Sequence, residues 1–288
     1  MACESRLEHF PDIDSKRAAE LRVLVLTGYG LNCEAETRAG FEMLGCGVSE
    51  RHVGDLIESG GHEALGEADI LAFIGGFSFG DHVASGRVYA NRLRYRLGEA
   101  LTAFVDRGGL AIGMCNGFQT MVKLGLLPGR GRASGEPLAT PETSLVDNDR
   151  LGYRDAWVEM VGDPESPCVW TRGVERIASP SRHGEGKLIF RDDATRAELE
   201  AAHLIPLRYC DAGGVATESW PENPNGSAGG AAALCDPTGR LFGLMPHPEA
   251  YLYPENHPRW LMQRDAGALP AVGQGLQILA NGVRAALG

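Results

Sequence analysis

Over the first 125 residues, short apolar runs alternate with amphipathic ones, and glycine marks most of the changes from one to the other. Arg22-Val23-Leu24-Val25-Leu26-Thr27 is aliphatic and β-branched throughout and ends in Gly28, the pattern of a strand buried on both faces. Helical spacing follows from Glu34 to Leu44 and stops at Gly45, and Cys46 to Val53 reads as a second strand. Asp69 to Ile74 is a third, ended by Gly75-Gly76. From Asn91 to Asp106 a helix is expected, because Leu93, Leu97, Leu101, Phe104 and Val105 share one face, and Gly108-Gly109 stops it. Leu110 to Met114 is a fourth strand, followed by a helix from Asn116 to Leu124 that closes at Gly125. This alternation predicts an α/β fold: a doubly wound, mostly parallel sheet flanked by helices, of flavodoxin-like type.

Further strands are expected at Ala156 to Met160, Ile205 to Tyr209, Gly230 to Cys235 and Leu241 to Leu244, and a last helix at Gly275 to Ala286. The stretch 130–182 is rich in Gly, Pro and charge and reads as an elaborated surface region. Residues 1–20 read as an N-terminal extension or short edge element, and residues 21–288 as one domain.

Asp and Glu number 38 against 27 Lys and Arg, a net charge of -11, so the surface repels phosphate backbones and nucleic acid is not an expected partner. Arg92, Arg94 and Arg96 come closest to a basic patch and are expected to be a solvated helix face with salt bridges. Cys3, Cys33, Cys46, Cys115, Cys168, Cys210 and Cys235 are odd in number and contain no C-x-x-C pair, which argues against a disulfide framework or a four-cysteine zinc site. Reduced thiols fit a cytoplasmic protein. Met1 to Glu20 lacks the apolar core of a signal peptide, and no apolar run is long enough to span a bilayer.

The sharpest local signal is Gly113-Met114-Cys115-Asn116-Gly117, between an apolar strand and a helix. It is the thiol counterpart of the G-x-S-x-G nucleophile elbow. A tight strand-to-helix turn leaves no room for side chains at the flanking positions, and it thrusts the central residue out at the carboxyl edge of the sheet. The thiol then sits over the positive end of a helix, which favours an anionic sulfur. The amide of Asn116 points where an oxyanion would form. The base for such a nucleophile is best sought in Met245-Pro246-His247-Pro248-Glu249, where the prolines favour an extended chain that puts His247 and Glu249 on one side. Glu249 would then orient the imidazole.

Gly75-Gly76-Phe77-Ser78-Phe79-Gly80 follows a strand, and its backbone could approach a ligand closely. None of Lys16, Lys123 and Lys187 is followed by Ser or Thr, so a Walker-type ATP site is excluded, and a second oxyanion donor is the better use of this loop. Cys33 lies at the same sheet edge without an elbow and reads as a neighbour of the site. A metal held by His247, Glu249 and His257 matches no ligand signature, and none is expected.

Together these pieces resemble the class I, triad-type glutamine amidotransferases. Gly75 to Asp81, Gly113 to Gln119, His183-Gly184-Glu185-Gly186, Asn223 to Ser227 and Met245 to Glu249 are similar, in that order, to segments of the glutaminase subunit or domain of phosphoribosylformylglycinamidine synthase. The likeness runs from about residue 22 to 250. It implies Cys115 as nucleophile, His247 as acid and base, and Glu249 as its orienting carboxylate. It also implies that Gly75, Gly76, Phe77 and Asn116 line the oxyanion and glutamine site, that Gln119 helps hold the substrate, and that His183 to Glu185 lie near the site or at the partner surface. The implied partner is a synthetase subunit, with or without a small accessory subunit, which uses ATP and Mg2+ to aminate formylglycinamide ribonucleotide. No cofactor is then expected in this chain.

Three departures concern the type of partner more than the chemistry. Gly28-Tyr29-Gly30-Leu31-Asn32-Cys33 replaces the family's Pro-Gly-x-Asn-Cys, Ala250 stands where an arginine often follows the Glu, and the chain beyond Tyr251 is longer than in small bacterial subunits. The competing expectations are the glutaminase of another synthetase or a different cysteine hydrolase, a non-catalytic regulatory module, and a flavodoxin-type nucleotide binder.

Overall fold

The computed structural model describes residues 4–288. Its central sheet is built from β1 (Arg22–Thr27), β2 (Gly47–His52), β3 (Ile70–Phe73), β4 (Leu110–Met114), β10 (Ala233–Cys235) and β11 (Leu241–Leu244), in the order β10-β11-β4-β3-β1-β2. All neighbours are parallel except β10 against β11. The carboxyl ends of β1, β3, β4 and β11 therefore meet at one edge. The loops that leave them, residues 28–33, 74–81, 115 and 245–249, converge there, as they do in open α/β sheets generally.

Helices cover both faces, as the period of the apolar residues requires. They are α1 (Ser15–Glu20), α2 (Glu34–Met43), α3 (Val53–Ser59), α4 (His62–Glu67), α5 (Arg87–Asp106), α6 (Asn116–Leu124), α7 (Asp193–Ala201), α8 (Trp260–Asp265) and α9 (Gln274–Leu287). Several bounds differ from expectation for identifiable reasons. α5 starts one turn early because Tyr89 and Ala90 extend its buried stripe, and it is entered through Gly86, whose φ of 72° lets the chain lie against Thr120 of α6. α3 and α4 were not foreseen: each is too short to show a period, and Gly60 and Gly61 at φ 76° and 68° break them apart. The segment read as an extension or edge element holds no strand among its described residues. Asp14 caps α1 by accepting from the amides of Lys16 and Arg17, and Phe10, Ile13 and Ala18 are buried.

The stretch 130–182 is not merely surface. It contributes β5 (Thr143–Val146), β6 (Arg154–Gly162) and most of β7 (Arg176–His183), together with the buried Trp170. β5 pairs with β8 (Lys187–Phe190), and β6 lies between β7 and β9 (Leu207–Tyr209) in a small antiparallel sheet. β6 and β9 fall on the strands expected at Ala156 to Met160 and Ile205 to Tyr209, whereas β5 and β8 are only four residues long and β7 is largely polar, which hid these three from a reading of hydrophobic runs.

Arg92, Arg94 and Arg96 do not form one solvated face. The guanidinium of Arg94 donates to the carbonyls of Leu124, Leu138 and Ala139, where α6 ends and its last carbonyls need donors. Arg92 lies over the ring of Phe79 at 5.5 Å.

The elbow depends on the absence of side chains at its rims. A Cβ on Gly117 would stand 1.8 Å from the carbonyl oxygen of Phe73, which is backbone and cannot yield. Gly117→Ala is therefore expected to separate α6 from β3 and to destabilise the fold by about 3 kcal/mol or more. Urea unfolding of the variant against the parent protein checks this.

Candidate active site

Cys115 occupies the turn between β4 and α6 at φ 51° and ψ -107°, a conformation that L-residues rarely adopt and that throws the side chain out of the turn. Its amide is anchored to the Leu244 carbonyl of β11 at 2.9 Å. Its thiol donates to the Arg182 carbonyl at 3.4 Å.

That carbonyl is available because β7 is the edge of its sheet. Along β7 the outward main-chain groups are the amide of Ala178, which donates to the Gln274 side chain at 2.9 Å, and the carbonyls of Pro180 and Arg182. Pro180 is tolerated at an outward position because no ladder amide is needed there. The Pro180 carbonyl accepts from the amide of His247 at 2.7 Å. One strand edge thus holds both Cys115 and His247 by alternate carbonyls.

His247 and Glu249 are 4 % and 1 % exposed, and Nδ1 of the imidazole lies 2.6 Å from Oε1 of Glu249. The contact is the expected one, but its route is different. Residues 248–250 form a 3-10 turn with Pro248 in its first position, rather than an extended chain. Nε2 makes no hydrogen bond within the protein. Burial by itself lowers the proton affinity of His247, but the Glu249 carboxylate and the Cys115 and Cys33 sulfurs outweigh it and hold the imidazole well above its ordinary value.

Cys33, which enters α2, also lies against the ring, with Sγ 4.0 Å from Nδ1. Gly75 makes room for both groups: a Cβ there would come within 2.7 Å of the His247 Cε1 and 2.9 Å of the Cys33 sulfur. Gly75 is thus a seat for the imidazole as well as part of the loop. His257 is elsewhere, stacked edge-on against Trp157 at 4.9 Å, and contributes nothing to a cluster with His247 and Glu249.

The loop after β3 is held by a bridge between Leu31 and Gly76. Its bonds are Asn32 N–H to the Gly75 carbonyl and Phe77 N–H to the Gly30 carbonyl, so the amide of Phe77 is engaged at 2.7 Å and does not face the site. The Gly76 amide lies outside these two bonds, and Gly76, at φ 135°, packs so tightly on Gly30 and Leu31 that no side chain fits. The Phe77 ring is half exposed and tilts against Tyr153 at 6.1 Å. Asn116 is the first residue of α6, where amides lack intrahelical partners.

Gln119 is 2 % exposed, and both ends of its amide are engaged: it donates to the Glu185 carbonyl and accepts from Asn116 Nδ2 at 3.1 Å. Asn116 Nδ2 also donates to Asp81 at 3.3 Å, and the carboxylate of Glu185 accepts the Ser85 amide at 3.0 Å. Burial, with Glu185 nearby, raises the Asp81 carboxyl above its ordinary range. The segment 183–186 is thereby tied to α6 and to the loop after β3.

His183 does not reach the thiol. It is 2 % exposed beneath the site. Asn225 Oδ1 accepts the Ser227 amide at 3.0 Å, which turns Nδ2 of Asn225 toward Nε2 of His183 at 3.1 Å. The ring proton is then on Nδ1, which faces the Ser181 hydroxyl at 3.3 Å. Asp81, Ser85, Arg182 and Asn225 were not singled out from sequence. Two of them act through backbone atoms, and only Asp81 and Asn225 stood inside recognisable segments.

A family model of the CobB/CobQ-like glutamine amidotransferase domain matches residues 20–284. The phosphoribosylformylglycinamidine synthase subunit PurQ of Methanococcus maripaludis is 38% identical over 91% of this chain and 96% of its own length. The PurQ subunit of Dehalococcoides mccartyi is 36% identical over 92% and 98%. In a structure of PurLQS from Thermotoga maritima, one chain superposes with a TM-score of 0.64 at 22% identity, covering 92% of this chain and 98% of that one, which supports the fold.

Burial lowers the pKa of His183 to about 3, so the unfolded chain takes up a proton there that the folded one refuses. Stability from this group is complete above the unfolded value of about 6.5 and is lost progressively as pH falls toward 3. In His183→Gln, urea unfolding at pH 7, 5.5 and 4.5 is expected to show a smaller loss on acidification than in the parent, whatever the variant's stability at pH 7.

Proposed function

We propose that this chain, which belongs to the PurQ family of glutamine amidotransferases, is the glutaminase subunit of phosphoribosylformylglycinamidine synthase and supplies ammonia for de novo purine synthesis. The observation that carries the reading is the buried His247–Glu249 pair, held by the same β7 edge that binds the Cys115 thiol.

In this reading Cys115 gives its proton to His247, and its sulfur attacks the carboxamide carbon of glutamine. The amides of Gly76 and Asn116 receive the oxyanion, each worth about 3 kcal/mol in such sites. Imidazolium His247 protonates the departing ammonia, leaving a glutamyl thioester on Cys115. His247 then takes a proton from water, whose oxygen attacks the thioester and releases glutamate. Glu249 keeps the Nδ1–H in place, so that Nε2 is the nitrogen that exchanges protons. Gln119 and His183 act as positioning residues: Gln119 fixes Asn116 and the 183–186 segment, and His183 fixes the end of β7. The Phe77 ring offers a wall rather than a donor.

The ATP- and Mg2+-dependent amination of formylglycinamide ribonucleotide belongs to a partner synthetase, and no cofactor is assigned to this chain. A cytoplasmic location fits this role, and no helix among the described residues is long and apolar enough to cross a membrane.

Glutamate release is measured with the cognate synthetase present, with formylglycinamide ribonucleotide and ATP added or withheld. Cys115→Ala is expected to lose at least about a thousandfold of the parent rate, and Glu249→Gln about a hundredfold or more. Stimulation by the two substrates is expected in the parent only. A rate that survives in Cys115→Ala rejects the nucleophile. A parent rate indifferent to both substrates moves the chain to another synthetase.

A further inference from the structure

We propose that Cys33, His247 and Glu249 form a site for a thiophilic divalent cation of the zinc and cadmium class, and that its occupation takes the base out of the reaction. The second half of this statement rests on the role given to His247 above; the first stands on geometry alone.

The mechanism makes no use of the Cys33 sulfur, yet this sulfur lies against the catalytic ring. Cys33 Sγ, an imidazole nitrogen and a Glu249 oxygen all fall within 4.8 Å of one another. Sγ to Nδ1 is 4.0 Å and Nδ1 to Oε1 is 2.6 Å. Zinc binds sulfur at about 2.3 Å and nitrogen or oxygen at about 2.0–2.2 Å, which at tetrahedral angles sets the donor atoms about 3.3–3.6 Å apart, so a cation here requires the Nδ1–Oε1 pair to open by about 0.7 Å and the sulfur to close in by up to about 1 Å. Oε2 of Glu249 is an independent pointer: it is buried and makes no hydrogen bond, in a residue 1 % exposed. A carboxylate oxygen without a donor in such a place is a ready ligand. The missing Cβ of Gly75 leaves the sulfur and the ring free to approach each other.

Sulfur, nitrogen and oxygen as three protein ligands, with water as the fourth, is a donor set that zinc accepts and that magnesium does not. On binding, Cys33 loses its proton to solvent and Nδ1 exchanges its proton for the cation. The hydrogen bond to Glu249 is then replaced by metal ligation, and the only position left for a ring proton is Nε2. An imidazole with Nε2 already protonated cannot accept the proton of Cys115.

The test is a cadmium titration of the whole chain in Cys115→Ala, read by thiolate-to-cadmium charge-transfer absorption in the ultraviolet, and repeated in Cys115→Ala with Cys33→Ala. The first protein is expected to show the band. The second is expected to lose it, with affinity falling at least about tenfold. A band that persists without Cys33 overturns the site, since it then arises from other thiols. A band already lost in Cys115→Ala also overturns it, since the cation then sits on the nucleophile. If Cys33→Ala does not fold, alkylation of Cys33 in Cys115→Ala is followed by peptide mass. Protection by cadmium of about tenfold or more supports the site, and an unchanged rate rejects it.

The blocking of the base is read separately, as glutamate release by the synthetase complex with and without cadmium, relative to each enzyme's metal-free rate. Cys33→Ala is expected to resist inhibition that the parent shows and that a chelator reverses. Binding at Cys33 with undiminished glutamate release would overturn the blocking and would count against the catalytic role of His247.

Discussion

The unpaired outer edge of β7 is the constraint on which the site depends. The strand gives its inner main-chain groups to β6 and its outer ones to the neighbourhood of the central sheet. Cys115 comes from a turn after β4 and His247 from a loop after β11, and neither element fixes the distance between them alone. The pairing of β11 with β4, with the Cys115 amide on the Leu244 carbonyl, ties the two together, and the carbonyls of Arg182 and Pro180 add a second tie, because two residues along a strand are a fixed interval and face the same way. A proline at 180 presents no outward N–H, so that edge needs no further acceptor there.

The second constraint is strain at Cys115. A positive φ outside glycine costs about 1–3 kcal/mol, and the surroundings over-determine it. Gly113 and Gly117 allow β4, β3 and α6 to close on the turn, while the Leu244 carbonyl holds the Cys115 amide. The buried surface of α6 then makes the turn part of the core rather than a loop able to relax. Mobility is thus excluded where the reacting sulfur must be placed, and the loop after β3 is similarly closed by its bridge to residues 30–32.

Behind these groups lies a polar layer in which almost every atom has a partner. Asn116, Gln119, Asp81, Glu185, Asn225 and His183 tie α6, the loop after β3 and the end of β7 into one unit. Such a network specifies one arrangement, since a side chain turned the wrong way leaves a buried donor or acceptor unmet. Asn116 Oδ1, Nε2 of His247 and Oε2 of Glu249 are exceptions, and of these Nε2 is the atom that exchanges protons in the proposed reaction.

By itself, the sequence determined the alternating α/β order, the elbow at Cys115 and the Met245-to-Glu249 segment. Those signals are local: a run of aliphatic residues, a glycine on either side of a cysteine, a histidine two residues from a glutamate. It also placed Gly75 and Cys33 near the site, because both follow strands whose carboxyl ends share an edge. What it could not supply were contacts made by backbone atoms or by residues distant in the chain. Residue type does not reveal that the Arg182 carbonyl meets Cys115, that the Phe77 amide is already engaged, or that Arg94 serves the end of α6. The exchange of His257 for Cys33 beside the His247–Glu249 pair was decided by the tertiary structure alone: parallel pairing brings the ends of β1 and β11 to the same edge, while the chain beyond Tyr251 carries His257 away to Trp157.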